Sequence, residues 1–132
     1  MNNICTSIDQ SRKLVELGLN PETSDMVYPA WTLSDTPTDD ICKIRTHDFE
    51  SENDVPTWSL SALLELMPQR IYMHGAAHQF RLDRNWDKVT WQCAYDAMNS
   101  FIEKKSNSPI NAVFEMMCWL LENDYIKKGG KE

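Results

Sequence analysis

The sequence predicts a single α+β domain over residues 1–132. The expected architecture is a three- to five-stranded antiparallel sheet packed on one face by a long C-terminal helix, with two shorter helices. Three observations carry this expectation. After Ser108-Pro109, the residues Ile110, Val113, Phe114, Met117, Leu120 and Leu121 recur at helical spacing as far as about Asn123. From Arg70 to Met98 the pattern switches to short alternating runs punctuated by Gly75 and the Asn85-Trp86-Asp87 turn. A chain of 132 residues that is 42% hydrophobic is large enough for one core without disulfides or metals.

The elements follow in order. Ser7 with Gln10 three residues later has the form of a capping box, so a helix is expected to start there and to bury Ile8, Leu14, Val15 and Leu17. Gly18 suits the left-handed position that closes a helix, and Pro21 prevents its resumption. Met26 to Leu33 reads as a short strand, and Pro29 argues for an edge position. Ile41 to Thr46 is expected to pair with it across the Ser34–Asp40 loop. Ser59 caps a second helix reaching about Met67, with Leu60, Leu63, Leu64 and Met67 on one side and Trp58 packed on Leu63 as a staple. Pro68 stops that helix. A three-stranded meander is then expected: Ile71 to His74, a strand around Phe80 and Leu82, and Val89 to Tyr95, with Asn85-Trp86-Asp87 as the last turn. Pro109 favours the first position of the final helix, because its missing N–H would have had no partner there. Lys127, Lys128 and Gly129 complement and end that helix.

Charge and cysteines narrow the function classes. The net charge is −7 and is unevenly spread: residues 1–66 hold 4 Lys/Arg and 12 Asp/Glu, whereas residues 67–132 hold 9 and 8. Most of the excess lies between Asp35 and Asp54, which reads as a solvated loop or a docking surface for a basic partner. A negative surface repels phosphate backbones, so nonspecific nucleic-acid binding is not expected. Cys5, Cys42, Cys93 and Cys118 have no C-x-x-C spacing, and free thiols in a cytoplasmic setting are expected. Cys93 and Cys118 lie in apolar patterns and are expected to be buried. No run approaches the ~18 apolar residues needed to span a bilayer.

Candidate chemistry is sparse. His74 and His78 have a spacing that could hold zinc on a helix, but Gly75 between them argues for a solvent-exposed turn. A Cys93 thiolate paired with either histidine would be a nucleophile, although burial on a strand face would blunt it. No nucleophile elbow, phosphate-binding loop or dinucleotide fingerprint is present, so no catalytic residue, cofactor or metal is assigned. Five tryptophans stand out. Trp58, Trp91 and Trp119 fit core positions, while Trp31 and Trp86 are candidates for exposed anchors, with Arg81 and Arg84 beside the latter.

Three stretches carry a resemblance: Cys5–Ser11 with Leu17–Met26, Pro56–Leu64, and Asn111–Glu122. They resemble short proteins of gut Bacteroidetes that are often carried near prophage or mobile-element genes. Those proteins have no established activity, so the resemblance implies a setting and assigns no residue a role. The leading expectation is a non-enzymatic accessory protein that contacts a protein partner through Trp31, Arg81, Arg84 or Trp86. One alternative is a small metal- or thiol-dependent enzyme using His74, His78 and Cys93. The other is an acidic protein that imitates DNA.

Overall fold

The computed structural model describes residues 5–28, 43–44, 55–73, 75–87, 89–98 and 101–126. The fold is α+β, with the C-terminal helix packed on an antiparallel sheet. The expectations for Trp31, Pro29, His74, the acidic stretch Asp35–Asp54 and the Lys127–Gly129 terminus lie outside the described residues.

Helix α1 spans Ile8–Glu16. Its start is fixed locally: Ser7 Oγ accepts the Gln10 N–H at 3.1 Å, and Gln10 Oε1 accepts the Ser7 N–H at 3.0 Å. Its end is a Schellman turn at Gly18, φ 110°. Leu19 N–H donates to Leu14 O and Gly18 N–H to Val15 O, both at 3.0 Å, while Leu14 and Leu19 are buried. Val15, expected on the apolar face, is exposed instead.

A first sheet combines β1 (Met26–Tyr28), β2 (Lys43–Ile44) and β3 (Val55–Thr57) in the order β2-β1-β3, with both pairings antiparallel. The strand at Met26 is therefore central rather than at an edge, because it pairs with β2 on one side and β3 on the other. Strand β3, which carries Pro56, lies at one edge of this sheet. A line of completely buried hydroxyls ties this sheet to α1. Thr6 Oγ1 and Ser11 Oγ are 2.7 Å apart, Ser11 Oγ donates to Thr57 Oγ1 at 3.3 Å, and Trp58 N–H donates to Thr6 Oγ1 at 3.2 Å. Each group thus keeps a partner in the interior, where an orphan would cost about 1–3 kcal/mol.

Helix α2 (Leu60–Leu66) is capped by Ser59, whose Oγ accepts the Ala62 N–H at 3.2 Å. Trp58 and Leu63 are both fully buried in one cluster, as the staple requires. The indole N–H of Trp58 donates to Thr23 Oγ1 at 3.0 Å.

The main sheet has four strands, β4 (Arg70–Met73), β5 (Ala76–Arg84), β6 (Trp91–Asp96) and β7 (Phe101–Ser106), in sequential antiparallel order. The meander thus gains a fourth strand at its edge. The last expected strand begins at Trp91, leaving Val89 in the preceding loop. Helix α3 (Pro109–Glu122) starts with Ser108 Oγ accepting the Asn111 N–H at 3.2 Å. It buries Ile110, Ala112, Val113, Met116, Met117, Leu120 and Leu121. These pack with Cys93, Tyr95, Ile71 and Leu63 into the principal core. Tyr95 Oη donates to Pro68 O at 2.6 Å, which joins the middle of the sheet to the corner between α2 and β4.

Candidate functional site

The β5–β6 hairpin ends in a turn that holds itself. Arg84 faces Trp91 in the last pair of the ladder, and the Asn85 N–H donates to Thr90 O at 2.8 Å. The Asp87 carboxylate accepts the Val89 N–H at 2.9 Å, and the Thr90 N–H and hydroxyl each at 3.0 Å. These bonds, led by that from the Thr90 backbone, hold the Asp87 carboxyl below its usual range. On this turn Trp86 is 94% exposed and Val89 63% exposed. Leaving a large apolar side chain in water forfeits roughly 1.5–3 kcal/mol that burial would contribute. Trp86 therefore does not fold back onto the sheet. Val89 joins it, a residue that the alternating pattern around Trp91 had assigned to the strand.

The two arginines near this tip differ. Arg84 lies over the Trp91 ring, 5.8 Å from its centroid. Arg81 is occupied by carboxylates on the open face of the sheet: Nη2 is 2.7 Å from Asp83 Oδ2, and Nη1 also binds Asp96. Both partners raise its already high pKa, the hydrogen bond it donates to Asp83 contributing most. Arg81 thus orders the strand surface.

The histidine and thiol expected to lie in turns or in a reactive pair are placed differently. His78 is fully buried within β5, opposite Ile71, with Nδ1 3.0 Å from Ala76 O. The expectation of an exposed turn histidine is corrected here, because the strand begins at Ala76, just past Gly75 at φ 76°. Cys93 is also fully buried, opposite Leu82 on β6, and desolvation pushes its thiol from an ordinary 9.0 up to about 12. Leu82 and His78 are four residues apart on β5, about 13 Å along the strand. The described strands therefore do not bring imidazole and thiol together. Among the described residues, no three His, Cys, Asp or Glu side chains gather as a metal site would require.

A second surface feature was not legible in advance. A groove of about 490 Å³ runs between α1, α3 and β7. Phe114, Cys118 and Trp119 contribute its apolar part, Asp9, Glu115 and Glu122 its acids, and Lys13 and Lys104 its cations. Cys118 is only partly buried, contrary to expectation. Its thiol is raised to about 11, mainly by desolvation and then by Glu122. Trp119 is likewise partly exposed and stacks on Tyr125 with ring centroids 5.3 Å apart. Gln10 Nε2 donates to Asn111 Oδ1 at 2.8 Å, fixing α1 against α3 beside the groove. The groove depends on β7, whose Glu103-Lys104-Lys105 run does not alternate and so gives no strand signal.

No described helix is long and apolar enough to cross a membrane. Set against family models, curated proteins and solved structures, the chain matches none of them.

Proposed function

We propose that the chain is an accessory protein that acts by binding another protein, and that the β5–β6 tip is its contact surface. Trp86 is the anchor, Val89 extends the apolar contact, and Arg84 supplies a cation at its base. One observation carries the reading: an indole 94% exposed on a turn where the Asp87 carboxylate accepts the Val89 and Thr90 N–H groups. Tryptophan and arginine are the residues most enriched where a few side chains dominate binding. A turn already ordered loses little conformational freedom on docking. The resemblance to Bacteroidetes proteins suggests a prophage or mobile element as the setting.

A photo-crosslinking amino acid placed at Val89 tests this in cells that express the chain. Capture of one discrete partner is expected, lost when Trp86 is also changed to alanine and absent when the crosslinker is at Gln79 on the open sheet face. Equal capture from both positions, or capture indifferent to Trp86→Ala, would sink the proposal.

A further inference from the structure

We infer that the Trp86 tip of one copy docks into the α1–α3–β7 groove of a second copy, making a head-to-tail association. The inference rests on the tip being a contact surface and goes further by naming what it contacts. Knob and socket occur on the same chain and are chemically matched. The tip offers an indole and a valine side chain, 94% and 63% exposed. The groove offers Phe114, Cys118 and Trp119 in a volume of about 490 Å³, within the ~300–1,000 Å³ typical of pockets that take compact apolar groups.

Charge favours the same pairing. Asp9, Glu115 and Glu122 outnumber Lys13 and Lys104 around the groove. At the base of the tip, Arg84 has a cation–π contact with Trp91 and no ion pair among the described residues, while the Asp87 carboxylate of the same turn is engaged by the Val89 and Thr90 N–H groups. Docking would place its guanidinium among those acids.

The tip and the groove share no residue. Such a contact is heterologous: each added copy leaves one free tip and one free groove, and growth continues unless the rotation closes a ring. A tip with two apolar side chains buries less than the ~1,200 Å² of stable complexes, so the association is weak and depends on concentration.

Sedimentation velocity from micromolar to millimolar protein tests the inference. Wild type is expected to shift towards dimers and longer species as concentration rises. Trp86→Ala and the double variant Glu115→Lys/Glu122→Lys should each weaken this by at least about tenfold, with far-UV circular dichroism unchanged. Mixed together, the double variant's intact tip can enter the intact groove of Trp86→Ala, whereas the reverse contact would pair the altered tip with the altered groove. The mixture should therefore stop at one-to-one dimers. Alkylation of Cys118 by iodoacetamide, read by peptide mass, should slow with concentration in wild type but not in Trp86→Ala. A wild type that stays monomeric throughout, or self-association that ignores both variants, overturns the inference. If a monomeric chain still yields the Trp86-dependent crosslink from Val89, only the self-docking is lost, and the tip keeps its role with another protein.

Discussion

The two faces of the four-stranded sheet are built on opposite principles. On the inner face, Cys93 and Tyr95 of β6 lie against α3, with Phe80 tilted on Tyr95 at 5.5 Å between ring centroids. On the outer face the same strands carry Arg81, Asp83 and Asp96, joined through one guanidinium and open to solvent. Alternation of side chains along each strand produces both faces from one stretch of sequence. The inner face therefore holds stability, while the outer face and the hairpin tip can change with little effect on folding. Position relative to α3 predicts the cost of a substitution better than residue type does.

The contrast can be broken most sharply at the helix. Leu120 is fully buried, so Leu120→Ala should remove about 2–5 kcal/mol in urea unfolding. A loss below 1 kcal/mol would mean that the inner face is not the close-packed layer described. The inner face should also be sensitive to alkali. The Cys93 thiol is raised in the folded state, so its neutral form contributes stability that is fully present below the unfolded value of 9.0 and is lost as pH rises through about 12. Tyr95 is shifted in the same direction by desolvation. The melting temperature should fall over that window, and Cys93→Ala should flatten part of the fall.

Smaller effects sharpen the comparison from the other side. Ser108→Ala removes the oxygen that caps α3 and should cost about 1 kcal/mol, with Ser108→Gly costing less. Arg81→Met on the outer face should cost no more than about 1 kcal/mol, because exposed ion pairs contribute little, and salt should narrow the difference further. Trp86→Ala at the tip should change stability by no more than about 0.5 kcal/mol, even though it is expected to abolish binding.

Features set by local geometry were legible in the sequence. The Ser7–Gln10 box, the Gly18 terminus and the caps at Ser59 and Ser108 each depend on residues within a few positions of one another. The turn at Asn85-Trp86-Asp87 and the apolar stripe of α3 were legible for the same reason. What failed to show was decided by distant partners. Strand β7 gives no alternating signal in the sequence, and it is pairing with β6 that makes it extended, with Lys104 set opposite Cys93. Strand β3 contains a proline and finds its place because β1 has a free edge to offer. His78 looked like a turn residue because Gly75 punctuates the sequence there, yet the ladder with β4 draws it inside. The same limit applies to the candidate site: Trp86 could be singled out locally, whereas the groove needs three elements far apart in the chain.

The Asp87 carboxylate has a consequence for engineering. Among the described residues, its three acceptor contacts come from Val89 and Thr90, and a further bond joins Asn85 to Thr90. The described bonds of the turn that displays the indole thus lie within the sequence from Arg84 to Trp91. Transplanted between the ends of another antiparallel pair, that octapeptide should carry its geometry with it, making the tip a portable cassette.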